Sequence, residues 1–140
     1  MNQPSGARDL TRSIRRAWAL VGWVGVATVI YLSLMPRPPE LGLGFEHGNR
    51  VGHVVAYALL TLWFGQLAVD PSQPVRFAGY LFALAIGLEF AQLATPSRTH
   101  SYADMAAGGI GAAIGWVLAP PRMPNLLCLV QRIGKRSAGG

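Results

Sequence analysis

Charge is what this chain lacks most, and negative charge in particular. Only 13% of its 140 residues are charged, and six Asp or Glu stand against twelve Lys or Arg. Soluble domains usually carry about 25% charged residues, so the composition disfavours an ordinary soluble catalytic domain. Cysteine is also nearly absent, because Cys128 stands alone. A single cysteine excludes an intramolecular disulfide and a cysteine-rich metal site, and we expect it to be a buried or interfacial apolar residue.

The positive charge that is present is unevenly distributed. Eleven of the twelve basic residues are Arg, and they cluster near the two ends of the chain. No basic face carries interleaved aromatic residues, which disfavours nucleic-acid binding. Arginines that flank apolar runs are instead typical of membrane anchors.

Four apolar runs occupy most of the sequence, separated by prolines and short polar breaks. A helix needs about 20 residues to cross the hydrocarbon core. The sequence therefore predicts an all-α, polytopic membrane protein with a four-transmembrane-helix bundle. The first run is too long for the core of a secretory signal and lacks a small-residue cleavage site, so an uncleaved first helix is predicted. The predicted spans are Ala17–Met35, Val51–Val69, Phe77–Leu93 and Tyr102–Leu118.

The two flanks of this bundle are predicted to be cytoplasmic. Residues 1–16 form a basic segment, residues 17–119 the transmembrane domain, and residues 120–140 an interfacial helix and tail. From Asn125 to Arg136, apolar and basic residues fall on different sides of a short helix, as in helices that lie on a membrane surface. With both termini inside, nine basic residues lie on the inner side and three on the outer side. This bias follows the positive-inside rule, and we expect a multi-pass protein of the inner membrane.

Small residues dominate the fourth apolar run. It contains Gly111-x-x-x-Gly115, a spacing that lets two helix backbones approach closely. Packing inside the bundle is favoured over a dimer contact, although an oligomer through this face stays open. Gln66, on the inner half of the second run, is interpreted as an isolated packing residue.

Polar residues are concentrated at one level of the predicted bundle. Ionisable residues in or beside membrane spans are costly and indicate function. The predicted topology brings such residues from all four helices to the outer side, where packing turns them inward. The sequence therefore predicts an outward-facing polar pocket. Its members are Ser33, Arg50, His53, Tyr57, Glu89, Gln92, Arg98, Thr99, His100, Ser101 and Asp104.

Three roles are open to this set. Arg50, Arg98 and His53 can hold an anionic group such as a phosphate, because Arg forms paired bonds to its oxygens. Glu89, His53 and Asp104 are candidate catalytic residues, as acid and base. Alternatively, Glu89 and Asp104 pair with the two arginines and only join helices. No metal-motif spacing and no glycine-rich phosphate loop occurs, so neither a metal nor a cofactor is expected.

Five short motifs occur in order along the chain. They are Ser33-Leu-Met-Pro36, Asn49-Arg50-Val-Gly-His53-Val-Val-Ala-Tyr57, Gly87-Leu-Glu89-Phe-Ala-Gln92, Arg98-x-x-Ser101-x-x-Asp104 and Gly111-x-x-x-Gly115. Together they resemble the VanZ-like family of small bacterial membrane proteins. Three positions depart from the family pattern, since Asn49-Arg50 stands for the usual Asp-Lys, Val54 for a phenylalanine and Gly108 for an asparagine. The resemblance implies that the characteristic polar positions are Arg50, His53, Tyr57, Glu89, Gln92, Arg98, Ser101 and Asp104.

The resemblance also implies a role at the bacterial cell envelope, because the family's namesake is linked to low-level resistance to the glycopeptide teicoplanin. The leading expectation is a pocket that binds or modifies an anionic envelope component, such as a lipid-linked precursor or a phospholipid headgroup. A membrane-embedded hydrolase or transferase with a Glu, Asp and His acid–base set is one alternative. A small transporter or transporter subunit is another, although the inner halves of the runs offer few polar residues beyond Gln66.

Overall fold

The computed structural model describes residues 5–35, 48–94 and 101–137, with side chains from residue 9 onward except at 48, 49 and 135. Every regular element in these ranges is an α-helix, which confirms the all-α prediction. The five helices are α1 (Ser5–Leu34), α2 (Gly48–Gly65), α3 (Gln73–Gln92), α4 (Tyr102–Leu118) and α5 (Leu126–Ser137).

The helix ends agree with the predicted spans at α4 and differ from them elsewhere. α1 begins at Ser5 instead of Ala17, so the basic segment and the first apolar run form one helix. α2 ends at Gly65, before the predicted end at Val69. Glycine commonly ends helices, and a prediction from hydropathy alone does not include this preference.

A tight turn joins α2 to α3. The carboxylate of Asp70 accepts hydrogen bonds from the backbone N–H and the hydroxyl of Ser72, at 2.9 and 3.0 Å. These bonds, led by the one from the backbone, hold the pKa of the Asp70 carboxyl below its ordinary value. α3 then begins at Gln73, earlier than the predicted Phe77, with Pro74 in its first turn. Proline suits that place because the first N–H groups of a helix have no helical partner to lose.

α1 and α3 are long and apolar enough to cross a membrane. The qualifying segments are Asp9–Leu34 and Gln73–Gln92, and most of each lies outside the protein core. Large apolar side chains are accordingly on the surface, such as Val24, which is 66% exposed. Apolar surface of this kind is compatible with membrane localisation. α4 is apolar but has 17 residues, and Arg50 and His53 lower the mean hydropathy of α2.

α4 packs most extensively against α2, and glycines make this contact close. A Cβ at Gly111 would meet the carbonyl oxygen of Val54, and a Cβ at Gly115 would meet that of Ala58. The added carbon at Gly115 would also lie 2.6 Å from the Cβ of Thr61. The Gly111 and Gly115 face is thus covered inside the chain. This contact corresponds to internal packing and not to the dimer contact.

α1, α2 and α3 surround an apolar core. Tyr57 belongs to this core and is also one of the predicted pocket residues, so the core directly adjoins the predicted pocket. The buried members of the core are Val26, Tyr57, Leu60, Phe64, Leu81 and Ala85.

Trp18 and Trp63 join α1 to α2 at what we call the tryptophan end of the bundle. Their rings stack with centroids 4.0 Å apart and an interplanar angle of 9°. Each indole N–H donates to the other residue's carbonyl oxygen, at 3.2 and 2.9 Å. Arg15 donates a further hydrogen bond to the carbonyl oxygen of Leu67 at 2.8 Å. Because indole N–H groups in packed surroundings need a partner, these bonds fix α1 against the end of α2.

Gln66 is not the isolated packing residue that its sequence context indicated. Its side-chain oxygen accepts a hydrogen bond from the backbone N–H of Leu126 at 2.8 Å. Its carbonyl oxygen accepts another from Nδ2 of Asn125 at 3.1 Å. Asn125 Oδ1 in turn accepts from the backbone N–H of Cys128 at 2.9 Å, as helix-capping residues do. The end of α2 therefore anchors the start of α5.

α5 is amphipathic, as predicted, and lies against the first turns of α1. Leu127 is buried, and Nε2 of Gln131 donates to the carbonyl oxygen of Thr11 at 3.4 Å. Cys128 is exposed, not buried. The helix keeps an apolar strip that suits a membrane surface. This strip consists of the exposed residues Leu126, Leu129, Val130 and Ile133.

Candidate functional site at the carboxylate end

Four helix ends come together opposite the tryptophan end, and we call this the carboxylate end. They are the C-terminal turns of α1 and α3 and the N-terminal turns of α2 and α4. Arg98, Thr99 and His100 lie outside the described residues. Tyr57 lies near the middle of α2, in the apolar core. The other predicted site residues in the described ranges belong to these turns or cap them, and they are Ser33, Arg50, His53, Glu89, Gln92, Ser101 and Asp104.

Glu89, on α3, is a buried carboxylate at this end. Glu89 is 2% exposed. Its Oε2 accepts a hydrogen bond from the backbone N–H of Ser101 at 2.9 Å. Ser101 caps α4, since its hydroxyl accepts from the backbone N–H of Asp104 at 3.3 Å. The positive end of the α4 dipole and this hydrogen bond offset part of the cost of burying a negative charge.

Gln92 joins the end of α3 to the end of α1. Gln92 and Ser33 are both buried, and Nε2 of Gln92 donates to the carbonyl oxygen of Ser33 at 3.0 Å. That carbonyl lies in the last turn of α1, where helical N–H partners run out. Gln92 therefore satisfies a helix end, and it is the backbone of Ser33 that takes part in this contact.

An ion pair connects α2 to α4. Nε of Arg50 lies 3.8 Å from Oδ1 of Asp104, and the two side chains are 47% and 15% exposed. A pair with such exposure typically contributes less than about 1 kcal/mol to stability. The structural pairing that the sequence left open thus exists for these two residues. Because half of the Arg50 side chain is exposed, its guanidinium is also accessible to a ligand.

His53 and Tyr57 lie one turn apart on α2. Their rings have centroids 6.3 Å apart with an interplanar angle of 26°, and Tyr57 is 1% exposed. A Cβ at Gly108 would lie 2.7 Å from the Cβ of Ala85 and 3.4 Å from the Tyr57 ring. Gly108 stands where the resembled family commonly has asparagine. Close packing around Tyr57 leaves little room for an amide side chain there.

Two further features were not found by reasoning from the sequence. Thr61 is buried, and its hydroxyl has no hydrogen-bond partner among the described residues. Arg12, Arg15 and Arg16 line a common cavity at the tryptophan end, whereas their place before an apolar run predicted membrane anchoring alone. Their spacing of three and four residues was the available signal, since it places them on one helix face.

The carboxylate end can support anion binding or proton transfer. Arg50 offers a half-exposed guanidinium, while Glu89 and His53 offer a carboxylate and an imidazole. Within the described ranges, no group of three or more His, Cys, Asp or Glu side chains is arranged to hold a metal ion. Comparison of the chain with models of protein families, with curated proteins and with solved structures finds no match.

Proposed function

We propose that the chain is a four-span, VanZ-like membrane protein of the bacterial inner membrane, with both termini in the cytoplasm. α2 and α4 have 18 and 17 residues, which is near the lower limit of about 17 for a membrane span. Because α4 packs along α2, and α2 is joined to α1 at the tryptophan end, these two helices enter the membrane together with α1 and α3. The positive-inside rule then places the tryptophan end in the cytoplasm.

The carboxylate end faces outward in this topology and binds or modifies an anionic component of the cell envelope. The observation that carries this proposal is the burial of Glu89 beside the α4 N-terminus, at the same end as the Arg50–Asp104 ion pair. Ionisable groups within a membrane bundle are costly and are mostly retained for function. Their concentration at one end supports a binding site there.

Arg50 is the anion contact in this proposal. Its guanidinium can turn toward a phosphate and form two parallel hydrogen bonds, while Asp104 remains its neighbour within the protein. The sequence supplies a second arginine, Arg98, shortly before α4. Lipid-linked precursors and phospholipid headgroups both carry such phosphates. A link to glycopeptide resistance is part of this proposal and rests on the VanZ-like motifs.

Binding of a polyprenyl diphosphate tests the proposal, with the uncharged polyprenol of the same length as the reference probe. Arg50→Gln should weaken binding of the diphosphate about tenfold or more, because a hydrogen bond to a charged group contributes roughly 1.5–3 kcal/mol. Arg76→Gln is the matched control, since Arg76 is exposed at the tryptophan end. Equal binding of the two probes, or undiminished binding by an inserted Arg50→Gln variant, would contradict the proposal.

An enzymatic role for Glu89 is the second candidate, and the burial of its carboxylate favours it. A carboxyl group shielded from water is suited to act as a general acid or base. Glu89→Gln keeps a side-chain oxygen for the Ser101 N–H but removes the carboxyl group that takes up and releases a proton in acid–base catalysis. In an enzyme that hydrolyses the diphosphate, this variant should bind the probe yet release phosphate slower by orders of magnitude. If wild type releases no phosphate, the enzymatic candidate fails and binding remains.

Transport has less support. A transporter needs polar groups along the inner half of the bundle, and Gln66 was the residue that the sequence placed there. Its side-chain oxygen is engaged with the backbone N–H of Leu126. Gln66 therefore serves the attachment of α5 and does not extend the polar pocket inward.

A further inference from the structure

Three arginines of α1 face one cavity at the tryptophan end. Arg12, Arg15 and Arg16 follow a helical spacing that places their side chains on one face. They line a cavity of about 430 Å³ between α1, α3 and the α2–α3 turn. Small-ligand pockets have typical volumes of about 300–1,000 Å³. The space is therefore sufficient for a headgroup-sized ligand.

The positive charge of these arginines is largely retained at the cavity. Arg15 is oriented by its 2.8 Å hydrogen bond to the carbonyl oxygen of Leu67, a neutral group that does not cancel its charge. Arg12 lies 3.8 Å from Oδ1 of Asp9, but the two side chains are 66% and 70% exposed. Water screens a pair of this exposure. The cavity is accordingly a basic site.

The other side of the cavity is apolar except for Gln73 at the start of α3. Ala19 continues the arginine face of α1 by one turn. Leu67 faces it from the α2–α3 turn, and Phe77 faces it from α3. The small alanine side chain leaves space beside the guanidiniums. A ligand that fills such a cavity is anionic at one end and apolar at the other. Phospholipids have this construction, whereas free phosphate does not.

The cavity also lies at the level where a membrane surface is expected. Arg15 and Arg16 directly precede the apolar run that begins at Ala17. The stacked Trp18 and Trp63 lie at the same level, and tryptophan is enriched at membrane interfaces. Basic pockets between helices on the cytoplasmic side are suited to anionic headgroups.

We infer that this cavity binds the headgroup of an anionic phospholipid of the inner leaflet. Arg12 and Arg16 contact the phosphate, Arg15 is held in place by Leu67, and one acyl chain follows Phe77 along α3. The inference rests on the proposed membrane insertion, but it is independent of the ligand at the carboxylate end.

Native mass spectrometry of the full chain, released from nanodiscs of mixed phosphatidylglycerol and phosphatidylcholine, tests the inference. Wild type should preferentially retain phosphatidylglycerol. The double variant Arg12→Gln/Arg16→Gln should lower this preference on the order of tenfold, because two phosphate contacts are lost. Ala19→Leu should lower it as well, since the larger side chain fills the cavity without changing the charge.

The matched control is Arg132→Gln/Arg136→Gln, which removes the same charge from exposed positions of α5. This control should keep the preference for phosphatidylglycerol. Equal losses of that preference in both double variants would mean that surface charge in general attracts the lipid, and would overturn the proposed site. Equal retention of the two lipids by wild type, or displacement by inorganic phosphate at matched concentration, would also overturn it. If the wild-type chain shows no lipid preference but resists alkaline extraction from membranes, this site alone is refuted. If alkaline treatment extracts the chain from membranes, the proposed membrane insertion is refuted too.

Discussion

The carboxylate end and the tryptophan end join the helices of the bundle with different chemistry. At the tryptophan end, the buried polar side chain is the neutral amide of Gln66, and the Trp18–Trp63 pair adds two indole hydrogen bonds. At the carboxylate end, Glu89 is buried, and the Arg50–Asp104 ion pair links α2 to α4. The tryptophan end thus joins its helices through neutral groups and one arginine, Arg15, which bonds to a neutral carbonyl, and it contains no ion pair between helices among the described residues.

This difference supports the proposed binding site at the carboxylate end. A carboxylate costs several kcal/mol to remove from water unless other groups compensate it, so packing alone does not account for Glu89. Packing also does not account for the arginines of the tryptophan end. Arg12 and Arg16 lie at the surface beside a cavity, where positive charge attracts a partner and is not needed to join helices.

Cysteine labelling should give the largest effect, because the two ends are proposed to lie on opposite sides of the membrane. Cys128 is the single cysteine of the chain and is exposed on α5. In right-side-out vesicles it should react with a membrane-impermeant maleimide only after permeabilisation. Ala103→Cys in a Cys128→Ser background should react without permeabilisation, because position 103 is exposed at the carboxylate end.

The two cysteines serve as controls for each other. Detergent-solubilised protein should be labelled at either position, which shows that both thiols are reactive. Labelling of both positions in intact vesicles, or of neither, is incompatible with two ends on opposite sides of the membrane.

Much of the fold followed from hydropathy and proline, but the helix ends show the limits of that reasoning. α4 has its predicted bounds, since polar residues and prolines flank an apolar run. α1 extends back to Ser5 because arginine is a good helix former, while hydropathy marks only the membrane-compatible part. α2 stops at Gly65 although Leu67 and Val69 continue the apolar run.

The gathering of polar residues at one end was predictable because helix spacing and alternating direction determine it. Individual partners were not. The bond between Gln66 and Leu126 joins residues 60 positions apart, and no local pattern specifies such a pairing. The Trp18–Trp63 stack joins residues 45 positions apart. Contacts of this kind depend on how the helices pack, which single-sequence periodicity does not determine.

The glycine contact between α2 and α4 extends between the two ends, and widening it should give the largest loss of stability. Gly111→Ala places a Cβ against the carbonyl oxygen of Val54, so the helices must separate. We expect a loss of about 1–3 kcal/mol, measured by thermal unfolding in detergent. Gly87→Ala is the control, because an added Cβ there meets nothing within 4 Å. Comparable losses in the two variants would contradict the close contact.

Replacing the buried amides Gln66 and Gln92 should lower stability less and should distinguish the two ends through ligand binding. Gln66→Leu leaves the Leu126 N–H without its partner, and Gln92→Leu does the same to the carbonyl of Ser33. Each should cost about 1 kcal/mol of stability, the usual net contribution of one hydrogen bond. Only Gln92→Leu should also weaken binding of the polyprenyl diphosphate, because Gln92 lies at the carboxylate end. A binding defect in Gln66→Leu of similar size would remove the functional distinction between the ends.

Thr61 lies between the two ends, and replacing it should give the smallest effect and one of opposite sign. Its buried hydroxyl has no hydrogen-bond partner among the described residues, and an unsatisfied hydroxyl disfavours burial. Thr61→Val keeps the shape and should raise stability by about 0.5–1 kcal/mol. Thr28→Val is the matched control, since the Thr28 hydroxyl donates to the carbonyl oxygen of Val24 at 2.9 Å and loses that bond. A destabilised Thr61→Val variant would mean that the hydroxyl is bonded, and that a polar contact exists in the middle of the bundle as well as at its ends.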